Sequence, residues 1–192
     1  MHGDEIGSDV KMIIDGKEHE LSENVDIWCK KVVFAVTSNV YEADSSTLAF
    51  TKDKLTVFDK NGVTVTNRWN ARNPYKLVHV RSCLLSINKY SDEVKLIDSI
   101  FDTHKQLIPI SVPDVTSTTS ILYSDNSITD AYVVGDITSV ELHVLERGGN
   151  SNQGMVNDMG SRIKPYIDCY VGETVKSGDV IYCKSNFKYS CS

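Results

Sequence analysis

Residues 167–184 read IDCYVGETVKSGDVIYCK, and this stretch predicts how the rest of the chain folds. Two runs rich in Val, Ile and Tyr, at 167–171 and 180–183, flank Gly172 and the turn Ser177-Gly178-Asp179. Branched and aromatic residues favour the pleated strand, and glycine adopts the positive φ that a tight reversal needs. We therefore interpret the stretch as a compact strand-turn-strand unit in a β-rich chain.

The same pattern recurs nearer the N-terminus. Asp15-Gly16 and Asn61-Gly62 are dipeptides typical of two-residue hairpins, and each lies between runs that alternate apolar and polar residues. We expect hairpins at Asp15-Gly16 and Asn61-Gly62, and a strand meander over 47–69 that breaks at Lys52-Asp53 and at Asn61-Gly62. The apolar run 27–37, IWCKKVVFAVT, predicts a central strand that is buried on both faces.

Other segments predict interruptions of the sheet. Asn, Arg and Pro in 67–76 indicate a loop, and the prolines around 107–112 confine that strand to an edge. Residues 91–104, SDEVKLIDSIFDTH, place apolar residues on one helical face behind a capping Ser, so they predict one short helix, with a further strand as the alternative.

The predicted fold class is all-β, a sandwich or barrel of about ten short, mostly antiparallel strands. A chain of 192 residues is long enough for one ordinary core, so we expect a single domain over 1–192. Three parts lie outside its core in this prediction: a polar lead (1–9), a glycine-rich flexible loop (146–164) and a polar tail (185–192).

Composition excludes several classes of protein. No apolar run approaches the ~20 residues that span a bilayer, so no membrane association is expected. The acidic N-terminus, MHGDEIGSDV, differs from a secretory signal, which predicts a cytoplasmic protein at synthesis. The five cysteines are widely spaced and odd in number, which predicts neither a disulfide framework nor a zinc site; cysteines within β runs are expected to be buried.

Catalytic motifs are also missing from the sequence. It contains no G-x-S-x-G, no P-loop and no G-x-G-x-x-G, and its five histidines lie singly. We therefore expect no enzymatic activity, no cofactor and no metal ion.

The segment 171–181, VGETVKSGDVI, resembles the V-G-D-x-V-K-x-G-D-x-L hairpin of lipoyl and biotinyl carrier domains. The resemblance implies a turn between β-strands. Lys176 matches only an unmodified position of that family, and the turn that carries the modified lysine has no counterpart here. The acyl-carrier function is therefore not implied.

Charge is distributed unevenly along the sequence. Residues 52–95 carry a net charge of +5, whereas 1–51 carry −6 and 96–192 carry −5. In the basic middle segment, Trp69 and Tyr75 can stack on a ligand. Together with nearby arginines they define a predicted interaction surface of Arg68, Trp69, Arg72, Tyr75 and Arg81. A plain solvated face and, for Trp69, a place in the core are the competing interpretations.

Three functional hypotheses follow. The first is a non-enzymatic structural protein that assembles with copies of itself or with other structural proteins, as in a virion component such as a bacteriophage capsid-decoration, adaptor or fibre-base protein. The alternative is a carbohydrate-binding β-sandwich module in which Trp69 and Tyr75 form a sugar platform. A single-stranded nucleic-acid-binding barrel is the third, and it is disfavoured because the acidic remainder of the chain repels phosphates.

Overall fold

The computed structural model describes residues 5–22, 26–77, 79–84, 86–88, 90–91, 94–95, 99–102, 105–108, 119–124, 130–135, 138–148, 153–158 and 162–191. All regular structure in these ranges is β, which confirms the predicted fold class. None of the described residues forms a helix that could span a bilayer. The single-domain organisation stays a prediction.

In chain order the strands are β1 (Glu5–Ile14), β2 (Lys17–His19), β3 (Val32–Tyr41), β4 (Leu48–Asp59), β5 (Gly62–Ala71), β6 (Tyr75–Lys76), β7 (His79–Leu84), β8 (Ile87–Asn88), β9 (Tyr90–Ser91), β10 (Val94–Lys95), β11 (Ser99–Asp102), β12 (Leu107–Ile108), β13 (Thr119–Ser124), β14 (Asp130–Val134), β15 (Thr138–Gly148), β16 (Gln153–Asp158), β17 (Arg162–Val171), β18 (Thr174–Val175) and β19 (Val180–Cys191). Ten of them form one antiparallel sheet in the order β12-β11-β14-β15-β19-β5-β4-β3-β1-β2. A second sheet has the order β13-β16-β17-β7, and β8 also pairs with β17.

The last strand, β19, lies in the middle of the large sheet. It pairs with β5 on one side, where Cys183 lies opposite Asn67, and with β15 on the other. The expected polar tail at 185–192 is therefore wrong, since Ser185, Asn186 and Phe187 are buried within this strand. Polar side chains misled the prediction because backbone pairing on both sides satisfies the strand whatever its side chains are.

The two faces of the large sheet differ in what covers them. On β19, alternate residues Ile181, Cys183, Ser185 and Phe187 are buried on the inner face, against which β7 of the second sheet lies. The intervening residues of β19 point to the opposite side, which we call the outer face.

A hydrophobic cluster joins the two sheets at the inner face. Its members come from two separate parts of the chain, 49–80 and 175–183, and are all buried: Ala49, Phe50, Ala71, Leu77, Val80, Val175, Ile181 and Cys183. Burial of apolar surface between two sheets is what stabilises a β-sandwich, so this cluster fixes how the second sheet sits on the first.

The strand-turn-strand unit predicted at 167–184 needs a correction. The turn is present, with Gly178 at a φ of 91° and the Asp179 carboxylate accepting the Lys176 N–H at 2.7 Å. Its flanking strands do not pair, however, because β17 belongs to the second sheet and β19 to the large one. The segment is a crossover between sheets, in which β18 pairs with β6.

The short helix predicted at 91–104 is also wrong. The described parts of this segment form β9, β10 and β11 instead. Ile100 is fully buried and pairs with Val133 and Ile108. The β-branched residues of the segment allow either a helix or a strand, and pairing with other strands selects the strand. β12 then forms the edge of the sheet, as the prolines that follow it predict.

Several predicted loops are strands. The flexible loop at 146–164 contains the end of β15, all of β16 and the start of β17, because β16 pairs on both sides with β13 and β17. The polar lead at 1–9 enters β1 at Glu5, where β3 pairs with it. β4 continues through Lys52-Asp53, and β5 extends to Ala71, so the loop expected at 67–76 is confined to residues 72–74.

The apolar run 27–37 becomes a strand only from Val32. Before it, Trp28 is fully exposed and Cys29 is exposed as a thiol, against the expectation that cysteines in apolar runs are buried. The Asp15 carboxylate accepts the N–H groups of Lys30 and Lys31, which binds this segment to the first hairpin rather than to a sheet. Cys183, by contrast, is buried as expected.

Both predicted hairpins are confirmed. Asp15 and Gly16 have φ values of 47° and 88° at the β1–β2 turn. In the β4–β5 hairpin the turn falls on Lys60 and Asn61, one residue earlier than predicted, and Gly62 opens β5 with a φ of 102°. A Cβ added to Gly62 would overlap the carbonyl oxygen of Phe187 on β19.

Replacing Gly62 should therefore weaken the whole large sheet. We expect Gly62→Ala to lower the free energy of unfolding by about 2–3 kcal/mol, because it combines a strained φ with a backbone overlap. Gly7→Ala is the matched control: no atom lies within 4 Å of its added Cβ, so a change of about 0.5 kcal/mol or less is expected. Urea unfolding measures both, and equal values for the two variants would contradict the packing described here.

Candidate binding surface on the outer face of the large sheet

The structure does not gather the predicted interaction residues into one surface. Arg68 is exposed on the outer face of β5, whereas Trp69 packs against the inner-face cluster, as its core interpretation requires. Tyr75 packs there too, edge to face with Phe50 at 6.0 Å between ring centroids. Arg72 is exposed in the loop after β5, where its Nε donates to Thr51 Oγ1 at 3.1 Å.

Arg81 lies on β7, opposite Asp168 of β17. It is thus in the second sheet, while Arg68 is in the large one. The prediction that these five residues act together stays untested, but Trp69 and Tyr75 are committed to the core and do not present an open sugar platform.

The basic middle segment is partly neutralised within the chain. Lys52 Nζ donates to both carboxylate oxygens of Glu5, at 3.1 and 2.9 Å, and lies 5.8 Å from the centre of the Trp69 ring. Glu5 also accepts the Ser38 hydroxyl at 2.7 Å. A basic and an acidic segment of the chain therefore meet inside one subunit at this point.

This network shifts the pKa of Glu5. Partial burial alone would raise it, but hydrogen bonds from Lys52 and Ser38, together with the charges of Lys52 and Lys54, outweigh burial and lower the pKa below its ordinary value of 4.5. A carboxyl whose pKa is lowered by folding stabilises the fold above its ordinary pKa, and that contribution is lost as the pH falls.

A different group of polar residues converges on the outer face. Antiparallel pairing places Tyr182 beside Arg68 of β5, and Arg68 beside Asp53 of β4. In the next row toward the β4–β5 hairpin, Lys184 lies beside Glu146 of β15. Paired residues in antiparallel strands project from the same face, so these five side chains form a continuous surface, which we call the outer cluster.

Tyr182, Glu146 and Lys184 interact directly. Lys184 Nζ donates to Glu146 Oε1 at 3.1 Å, with both side chains partly exposed. Burial raises the pKa of Tyr182, and Glu146 raises it further through its charge and by accepting the phenol hydrogen bond. The Tyr182 hydroxyl therefore stays protonated and remains a hydrogen-bond donor at the end of an amphipathic ring.

A second polar group adjoins the outer cluster along β15. His143 Nε2 lies 3.0 Å from Glu141 Oε2, and the His143 ring meets Tyr132 of β14 edge to face with centroids 6.1 Å apart. Lys105 Nζ lies over the Tyr132 ring, 2.8 Å from its centre. Imidazole, phenol and carboxylate thus lie side by side, each partly buried, toward the β11–β12 edge of the sheet.

Asn186 connects the two groups. It lies on the outer face of β19, between His143 of β15 and Thr64 of β5, and is only 5% exposed. Its Nδ2 donates to Thr64 Oγ1 at 3.0 Å and to the Asn61 carbonyl at 3.3 Å. The surface that results has donors and acceptors of both kinds and, within the part of the chain the structure describes, no group of three His, Cys, Asp or Glu residues suited to a metal ion.

Sequence reasoning missed the outer cluster, apart from Arg68, because Glu146 lies in a segment taken for a flexible loop and the partner strands of Tyr182 and Lys184 were not predicted. A signal was present: Tyr182, Lys184 and Asn186 recur with the period of two that marks one face of a strand. The β-bulge between Val144 and Glu146 hid the matching alternation on β15, since it moves Glu146 onto the face of His143.

No protein-family model matches the sequence, and no curated protein sequence matches it. Solved structures do. The fold is similar to that of a galactose mutarotase-like protein from Lactobacillus casei ATCC 334, with a TM-score of 0.55 and 9% sequence identity over 92% of this chain and 75% of that one. A galactose mutarotase-like protein from Clostridium acetobutylicum matches with a TM-score of 0.44 and 12% identity over 88% of this chain and 66% of that one. At these identities, the first match shows a shared fold and nothing more.

The Glu5 network predicts how stability depends on pH. We expect the melting temperature of the wild type to fall between about pH 6 and about pH 3, as protonation of Glu5 releases Lys52. Glu5→Gln should be less stable than the wild type at about pH 6 and should lose less stability over that interval. Glu20→Gln, at an exposed position, is the control. If Glu5→Gln and the wild type lose stability in parallel, the network does not stabilise the fold.

Proposed function

We propose that this protein is a non-enzymatic carbohydrate-binding protein and that its sugar site is the outer cluster. The observation that carries the proposal is the Tyr182 ring beside the Glu146–Lys184 ion pair and Arg68. Sugars offer hydroxyl groups, which both donate and accept hydrogen bonds, and apolar C–H surface, which packs on aromatic rings. A partly exposed aromatic ring among charged donors and acceptors matches both properties.

Charge balance in the cluster favours a neutral ligand. Lys184 is paired with Glu146, and Arg68 lies between Tyr182 and Asp53 in the cross-strand row. The two cations of the outer cluster are matched in number by its two carboxylates, so the cluster carries no net charge to hold a phosphate or a uronic acid. Polyhydroxylated neutral sugars therefore suit it best.

The similarity in fold supports the same class of ligand. The neighbour from Lactobacillus casei is described as galactose mutarotase-like, and the alignment covers nearly the whole of this chain. Of the hypotheses drawn from the sequence, the carbohydrate-binding module is the one that this similarity favours, with its site moved from Trp69 and Tyr75 to the outer face. A virion role receives no support from these comparisons.

Binding without turnover is part of the proposal. Catalytic sites tend to gather several groups with shifted pKa values. The pKa of Glu5 is lowered within the Lys52 network and that of Tyr182 is raised within the outer cluster, so these two shifts belong to separate places on the sheet. The sequence adds no local nucleophile-base constellation.

Substitution of Tyr182 tests the site. We expect the wild type to bind at least one of D-galactose, D-glucose, D-mannose and N-acetyl-D-glucosamine in calorimetric titrations, and Tyr182→Ala to weaken that binding by about 10- to 100-fold, equivalent to about 1.4–2.7 kcal/mol. Tyr189→Ala is the matched control, since Tyr189 is an exposed tyrosine of the same strand that projects to the opposite face. It should bind like the wild type.

Two results would count against the proposal. Absence of binding to every sugar of the panel contradicts carbohydrate binding itself, and equal losses in the two tyrosine variants contradict the location of the site. Optical rotation of freshly dissolved α-D-galactose and α-D-glucose should relax at the uncatalysed rate when the protein is added. Faster relaxation would show an enzyme rather than a binding module.

Assembly through the basic segment is the second candidate, and the exposure of both Arg68 and Arg72 favours it. Reversing charge at Arg68, Arg72 and Arg81 together should lower the sedimenting mass of any assembly and leave the melting temperature nearly unchanged. A wild type that sediments as a monomer at high concentration and low salt would refute this candidate.

A further inference from the structure

The buried amide of Asn186 has one polar atom that the described residues leave unsatisfied. Its two N–H donors are used by Thr64 Oγ1 and the Asn61 carbonyl, but Asn186 Oδ1 is buried and has no hydrogen-bond partner among those residues. Almost all buried carbonyl oxygens in folded proteins accept a hydrogen bond, because burying one without a partner destabilises the fold. An acceptor held in this state indicates a partner that binds from outside.

The direction of this oxygen follows from the planarity of the amide group. The NH₂ group is turned toward β5, where Thr64 lies, so the carbonyl oxygen is turned away from β5 and toward β15. The neighbour of Asn186 on that side and on the same face is His143, whose side chain is 19% exposed and contacts the more exposed Glu141. Lys184, two residues before Asn186 on β19, belongs to the outer cluster. Asn186 Oδ1 is therefore at the margin of the proposed sugar site.

We propose that Asn186 Oδ1 accepts a hydrogen bond from one hydroxyl group of the bound sugar and determines which sugar is bound. This inference rests on the proposed function and adds a specificity-determining residue to it. Thr64 and Asn61 are positioning residues, because the two acceptors prevent the amide from flipping and leave only the carbonyl for the ligand. The hydroxyl reaches this covered oxygen by displacing the imidazole of His143 from its surface contact with Glu141.

A locked acceptor predicts a particular pattern of selectivity. It accepts only from a group that carries a hydrogen, so it should reject a sugar in which that hydroxyl is replaced by hydrogen or by fluorine, which cannot donate. Sites built to hydrogen-bond a hydroxyl discriminate strongly against the analogue that lacks it, because the buried partner is then left unpaired.

The experiment combines analogues of the sugar with variants of the protein. The probe is the tightest-binding member of the four-sugar panel, with its deoxy and deoxyfluoro derivatives at each hydroxyl position, titrated by calorimetry. For the wild type we expect one position at which both replacements weaken binding by about 10- to 100-fold. Asn186→Leu should bind the parent sugar more weakly by a similar factor. It should bind that pair of analogues no more weakly than the parent sugar, because the effects of removing two interacting groups are not additive.

Two further variants keep the test decisive if Asn186→Leu does not fold. Asn186→Asp retains an acceptor and should keep the discrimination, whereas Thr64→Val frees the amide to rotate and should reduce it at the same hydroxyl position. If both variants discriminate as the wild type does at every position, Asn186 does not contact the sugar and its oxygen is met by water only. If no sugar of the panel binds the wild type, the proposed function fails and this inference fails with it.

Discussion

The fold depends on the backbone hydrogen bonds that β19 makes on both of its sides. In the large sheet, β19 pairs with β5 of one group of strands, β1 to β5, and with β15 of another group, β11, β12, β14 and β15. Without β19 these two groups would be separate sheets with four unpaired edges. The ladder tolerates polar residues such as Ser185 and Asn186 at its centre, because pairing satisfies their backbone groups. Gly62 has no side chain for the same reason: the β4–β5 hairpin approaches the Phe187 backbone too closely to admit one.

The alternation of side chains along β19 also gives the two faces of the large sheet different chemistry. Apolar residues such as Ile181 and Phe187 face the second sheet and stabilise the fold by burial. Of the intervening residues, Tyr182 and Lys184 are polar and only partly buried. The proposed carbohydrate site on the outer face would thus be formed by alternation along one strand and would require no loop.

Sequence patterns predicted the parts of this fold that local chemistry decides. The positive φ of Gly16, the edge position of β12 and the placement of Trp69 in the core could all be inferred from nearby residues. Three features could not: the strands in 91–104, the strand in 153–158 and the partner strands of β19. Each depends on pairing with residues far away in the sequence, which provides backbone hydrogen bonds to segments whose own residues indicate a helix, a loop or a tail. The candidate site was missed for the same reason.

The most direct test of a sugar site on the outer face is to map amide chemical shifts of the ¹⁵N-labelled protein during titration with the sugar that binds it best. We expect perturbations concentrated on the outer face, at Tyr182, Lys184 and Arg68. The shifts of Val175 in the core cluster, and of Tyr75 packed against it, should be nearly unchanged. Perturbations centred on Tyr75 and Trp69 would contradict this expectation, because they would move the site back to the aromatic residues that the structure places in the core.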